Sequence, residues 1–246
     1  MHESITLTLS GDKTSLTADY FPSINTNKKS EIALLRLQTY NTFPNINETN
    51  NRIEIYVLDK DGKSYRILDL RIRSGCYEIE DIKNEILDFL RIENTNYKTG
   101  IEFDMWVNEH DFRCHIKCNK KINFNIENSL ASVLGYNKQH YFSPHGRIHR
   151  SERAVNINHI NSIKVMCDIA QGSFSNSNPS HSIYEFFPSG RTGTKVVEIP
   201  ANLIYYKLNT SNIHSINISL VDQDHNPVHN FNEKLTVVLH IRNCKS

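Results

Sequence analysis

Two groupings of histidine and cysteine are where this sequence could do chemistry. His110, Cys114, His115 and Cys118 fall close together, and thiolate with imidazole is the ligand set that zinc favours. The surrounding run Phe112 to Cys118 alternates, with Phe112, Cys114, Ile116 and Cys118 on one face and Arg113, His115 and Lys117 on the other. On a strand the two cysteines lie about 13 Å apart, too far for one tetrahedral ion. Buried structural thiols are therefore expected. The second grouping is His140, His145 and His149, loosely spaced and without an acidic partner nearby, which reads as solvent-facing. The stretch that holds them, 137–153, also carries Lys138, Arg147, Arg150 and Arg153 against Glu152. Contact with phosphate or nucleic acid is one reading of such a loop; a solvated loop, or a segment docking on an acidic neighbouring subunit, is the preferred one. No aromatic–glycine RNA-binding signature accompanies it, so specific nucleic-acid binding is not predicted.

Other candidate chemistry is weaker still. Gly190-Arg191-Thr192-Gly193-Thr194-Lys195 has the look of a phosphate loop but not its spacing, and it leads into a strand rather than a helix. Asp222 and Asp224 sit in a turn, where such side chains commonly bond the local backbone. There is no nucleophile elbow and no His-Glu-x-x-His helix. The expectation is a protein that is not an enzyme, with no catalytic, cofactor-binding or metal residues and no cofactor.

The elements that would position these residues are mostly strands. Ile5, Leu7 and Leu9 alternate with polar neighbours. Arg52 to Leu58 and Ser64 to Leu70 flank Asp61-Gly62, a hairpin signal because glycine accepts positive φ without steric cost. Ile32 to Leu37, Ile101 to Val107 and Ile122 to Ile126 extend the pattern. Ser162 to Ile169, Ser182 to Phe187, Lys195 to Ile199, Leu203 to Leu208, Ile213 to Val221 and Leu235 to Ile241 complete it. Turn signals about ten residues apart point to a sandwich or barrel. Two interruptions are helical: 79–92, where Ile79, Ile82, Ile86, Phe89 and Leu90 follow three-four spacing, and 129–136, with Ser129 placed to start it and Gly135 to end it.

The 246 residues balance 28 Lys and Arg against 27 Asp and Glu, which excludes a protein working through an overall basic field. Nine glycines and seven prolines are too few for a collagenous or low-complexity chain. Five scattered cysteines and no signal-like start imply an intracellular protein with reduced thiols. No linker divides the chain, so one domain over 1–246 is expected, with helical insertions near 79–92 and 129–136 and a long loop at 137–153.

A resemblance goes further than these patterns. Its carrying strings are Val165 to Phe174 (VMCDIAQGSF), His181 to Pro188 (HSIYEFFP), Val196 to Pro200 (VVEIP), Leu203 to Tyr206, Val221 to Asp224 and Leu235 to Ile241. Ala18 to Pro22, Leu37 to Ile46 and Leu130 to Tyr136 also fit. Together they resemble the jelly-roll proteins of Polinton (Maverick) elements and related integrated viruses, specifically the minor, penton-type capsid protein. The resemblance implies an all-β fold, a single antiparallel jelly-roll sandwich of about eight core strands with one or two short helices. It implies a structural role at a capsid vertex, with partners in further copies of itself, as a pentamer, and a double jelly-roll major capsid protein. The location it implies is the virion, otherwise the host cytoplasm or nucleus, with no membrane-spanning segment. A jelly-roll carbohydrate-binding or attachment module is the alternative, followed by a segment related to a double jelly-roll major capsid protein. No interface residue is singled out by the sequence.

Overall fold

The structure is a computed structural model that describes residues 4–59, 63–141, 147–157 and 160–243. In chain order the elements are β1 (Ser4–Gly11), β2 (Ser15–Asn25), β3 (Glu31–Tyr40), β4 (Arg52–Leu58), β5 (Tyr65–Arg71), α1 (Ile79–Tyr97), β6 (Phe103–Val107), β7 (Arg113–Cys118), β8 (Lys121–Asn123), α2 (Ala131–Leu134), β9 (His140–Tyr141) and β10 (Ile148–Ala154). They continue with β11 (Ile163–Cys167), β12 (Ala170–Gln171), β13 (Ser173–Ser175), β14 (Asn178–Ser180), β15 (Ser182–Phe186), β16 (Lys195–Glu198), β17 (Tyr206–Leu208), β18 (Asn212–Asp222) and β19 (Leu235–Arg242).

The residues expected to form one domain divide into two compact units, Met1–Phe43 with Ile160–Ser246, and Pro44–His159. The first is an antiparallel jelly-roll sandwich. One layer runs β15-β11-β18-β2; the other runs β1-β19-β3-β17-β12, with β16 also paired to β3. That layer holds six strands, in part because β3 has a divided edge. A single edge of β3 is shared by two short strands, β16 on Leu37–Tyr40 and β17 on Glu31–Ile32. Alternation buries Leu7 and Leu9 of β1, Val237, Leu239 and Ile241 of β19, and Ile163, Val165 and Cys167 of β11 in one core. β3 departs from alternation: Ile32, Ala33 and Leu34 are all buried, and the register against β19 shifts between Val238 and Leu239, where an extra residue re-aims the side chains.

The second unit has its own core. Its sheets are β10-β7-β6 and β5-β4-β8-β9. The apolar stripe of α1 (Ile82, Ile86, Leu90) packs among Ile53, Ile55, Met105 and Ile116. The helix starts where the Glu78 N–H donates to Asp81 Oδ2 at 2.8 Å and ends at Lys98 in the left-handed region. It runs five residues beyond the expected end, since no proline or glycine stops it before Gly100. The expected helix over 129–136 shortens to Ala131–Leu134. Ser129 Oγ still accepts the Ala131 N–H at 3.2 Å, and Gly135 closes the turn at φ 79°.

The 137–153 stretch is not one irregular loop. His140–Tyr141 pairs with β8 and Ile148–Ala154 with β7, while Phe142 to Gly146 lie outside the described residues. β4 and β5 pair antiparallel as the hairpin signal expects, with Leu58 opposite Tyr65, although Lys60 to Gly62 are not described. No helix among the described residues is long and apolar enough to cross a membrane.

Candidate functional site

The residues that could carry chemistry are drawn into structural work. Cys114 and Cys118 lie on the buried face of β7, and Cys167 is buried on β11. Burial pushes the thiols of Cys114 and Cys167 up to about 12 and that of Cys118 up to about 11, so almost none is thiolate at neutral pH. Cys76 is half-buried, and burial also raises its thiol. Peptide mapping after brief alkylation at pH 8 should therefore find Cys76 modified well before Cys114, Cys118 and Cys167. Equal modification of all four in native protein would show that the cores open freely.

The histidines do not converge. His115 stacks on Trp106 with ring centres 5.4 Å apart, on the face of β7 opposite the cysteines. His140 meets the ring of Tyr56 edge-on at 6.1 Å, and His149 meets Tyr141 at 5.5 Å. Burial, with Arg147 nearby, holds His149 below the ordinary imidazole range. His145 lies outside the described residues. Among the described residues no three His, Cys, Asp or Glu side chains assemble as a metal site.

The Gly190–Lys195 loop spends its backbone locally. Gly193 N–H donates to Asn41 C=O at 2.8 Å, Thr194 N–H to Arg191 C=O at 3.1 Å, and Asn41 Nδ2 to Gly190 C=O at 2.9 Å. Asp222 accepts the N–H groups of Asp224 and Asn226 at 2.9 and 2.8 Å, a turn-closing role. Tyr136 and Tyr141 tie the neighbouring stretch to strands of the second unit itself. Tyr136 Oη bonds the carbonyls of Cys114 and His149 at 3.0 and 2.7 Å, and Tyr141 Oη donates to Glu152 at 2.7 Å.

What remains exposed is surface suited to contacts. Phe21 on the edge strand β2 is fully exposed, and Phe187, Ile199 and Ile204 are more than half exposed after β15 and β16. Because β2 and β15 are the two edges of one sheet, Phe21 and Phe187 flank opposite edges of the sandwich. The solvent face of β5-β4 carries Tyr65 and Ile67, with Tyr56 edge-on to Tyr65 at 6.1 Å.

An antiparallel jelly roll with exposed apolar edges is the class of protein that the fold and these surfaces define. No family model and no curated protein matches the chain. Among solved structures it is similar to the mavirus penton protein, with a TM-score of 0.54 and 9% identity, covering 98% of this chain and 99% of that one. The likeness establishes a shared fold and carries no residue-level chemistry at that identity.

Proposed function

We propose that this chain is a structural, non-enzymatic capsid protein of the penton type, encoded by a Polinton/Maverick-like element or a related integrated virus. The observation that carries the proposal is the end-to-end likeness to the mavirus penton protein, 98% of one chain against 99% of the other. Among the described residues the jelly-roll sandwich occurs once, which favours a penton over a double jelly-roll major protein. Five copies close a ring at a capsid vertex through side-to-side, heterologous contacts and meet a double jelly-roll major capsid protein around it. Apolar side chains at opposite edges of the sandwich suit such contacts, because each copy offers two different surfaces. The working location is the virion.

Co-expression with the major capsid protein of the same element tests this. Particles imaged by electron microscopy should show density for this chain at the fivefold vertices. A strict monomer that never enters particles would remove the proposal. A second reading, an attachment module that binds carbohydrate, draws on the Tyr56–Tyr65–Ile67 face. A glycan array without hits would remove that one.

A further inference from the structure

The solvent face of the β5-β4-β8-β9 sheet is built in rows. Register sets Asp69, Glu54, Asn123 and His140 side by side across the four strands, and Ile67, Tyr56 and Lys121 side by side in the next row. Their neighbours Ile53, Ile55, Leu68 and Ile122 point the other way, into the second core. The Leu58–Tyr65 pair follows, and Tyr65 and Ile67 stand 56% and 50% exposed, open to a ligand.

The first row is a fixed polar floor. Glu54 and Asn123 are buried although they face outward. Asn123 Nδ2 donates to Glu54 Oε2 at 2.8 Å and to Tyr56 Oη at 3.3 Å. Arg52 Nη2 donates to Glu54 Oε1 at 2.9 Å, and Arg52 Nε to Asp69 Oδ1 at 2.6 Å. A network so fully paired holds the Tyr56 phenol in place. It also consumes the carboxylates of the face. Asp69 takes Arg71 as well, at 3.5 Å, Glu127 acts on Arg52, and Asp59 accepts from Ser64 Oγ at 3.2 Å. Glu152 is bonded by Tyr141, whose side chain lies on the other face of β9.

The basic side chains beside Tyr56 have no such partners. Lys121 Nζ lies over the Tyr56 ring, 5.1 Å from its centre, and His140 meets that ring edge-on at 6.1 Å. Neither meets a carboxylate among the described residues. Arg52 and Arg71 are balanced by Glu54 and Asp69, so the unmatched positive charge of the face sits at Lys121. The surface is therefore graded, aromatic and apolar at β5 and basic at β8 and β9. Three strand spacings separate its ends, about 14 Å, a span for a short oligosaccharide rather than one sugar ring.

We infer that this face binds an anionic saccharide. A sugar ring lays its C–H face on Tyr65 and Ile67, and the carboxylate or sulfate that the sugar carries is met by Lys121 and His140. This rests on the carbohydrate reading given above and names the chemical class of its ligand. A neutral sugar leaves the charge of Lys121 unmatched, and a bare anion leaves Tyr65 and Ile67 uncovered. A ligand with both an apolar ring face and an anionic group uses both ends.

Titration of the full-length chain with lactose, sulfated lactose and sialyllactose at low salt tests the inference. At least one acidic sugar should bind roughly tenfold or more tighter than lactose, sialyllactose if the anion read is a carboxylate and sulfated lactose if it is a sulfate. K121E should abolish that advantage, K121R should keep most of it, and Y65A should weaken all three sugars. Circular dichroism and Trp106 fluorescence confirm folding of each variant. Lactose binding as tightly as both acidic sugars overturns the anionic preference and leaves the carbohydrate reading standing. Binding of none of the three removes that reading and the inference with it. Inorganic sulfate or an oligonucleotide that displaces the sugar at equal concentration also overturns the inference, because charge alone would then be read. Folded K121E and Y65A variants that no longer enter particles would put a subunit contact on this face in place of a sugar.

Discussion

Replacing Gly135 with alanine is expected to destabilise the second unit by on the order of 3–4 kcal/mol, against about 1 kcal/mol for the same change at Gly100. Both glycines have positive φ, 79° and 61°, so both variants carry the left-handed cost of an L side chain. They differ in surroundings. A Cβ at Gly135 would lie 2.2 Å from the carbonyl oxygen of Arg153 and 2.8 Å from that of Ala154; at Gly100 nothing lies within 4 Å. Those carbonyls belong to β10, which is laddered to β7, and Gly135 C=O itself accepts the Arg153 N–H at 3.0 Å. No rotamer change relieves overlap with backbone, so the strand must move away from the helix end. Trp106, the sole tryptophan, lies in this unit, so urea unfolding followed by its fluorescence reads the effect directly. Equal losses at the two positions would show that the close approach to β10 is not what selects glycine.

That contact also marks where sequence reading stops. The strand Arg52–Leu58 follows from its residues alone, and the alternation of Cys114, Ile116 and Cys118 places the thiols inside. Such elements are legible because one face is greasy and the period is two. β2 is not legible in this way. Pro22 sits inside it and the register against β18 shifts beside it, which breaks the alternation of an edge strand. β10 reads as a basic loop because Arg150, Glu152 and Arg153 leave Ser151 as its fully buried side chain.

The second core is hidden for a different reason. Ile82 and Ile86 announce an amphipathic helix but not the partner that receives it, and that partner comes from Ile53, Met105 and Ile116, scattered over more than sixty residues. Contacts of such separation have no local signature. The candidate surfaces are less legible still. The excess of Lys and Arg over 112–153 is visible in the string, yet whether those cations share a face depends on the pairing of Arg150 with His115, which sequence does not specify.

Raising the pH from about 9 to about 11 is expected to unfold the second unit before the first. The cause is buried thiols. Cys114 and Cys118 in the second unit rise to about 12 and about 11 through burial, and Cys167 in the first unit to about 12. An unfolded thiol ionises near 8.5. Below that value both states hold the proton and stability is unaffected. Between it and the folded value the unfolded chain has released the proton and the folded chain has not, so unfolding is favoured by about 1.4 kcal/mol per pH unit for each thiol. Cys114 and Cys118 alone make the slope for the second unit about 2.7 kcal/mol per pH unit, to which half-buried Cys76 adds, and one thiol makes it about half that for the first. Tyr136, whose phenol burial also raises strongly, adds to the slope in the second unit above about pH 10. Urea titrations at pH 8, 9 and 10, read by Trp106, give the slope for the second unit. The variant Cys118→Ala should start about 1 kcal/mol less stable at pH 7 and lose stability with pH only about half as steeply. An unchanged slope in that variant would mean that Cys118 ionises in the folded chain, which a sulfur sealed between β7 and the core cannot do without opening the ladder to Phe103.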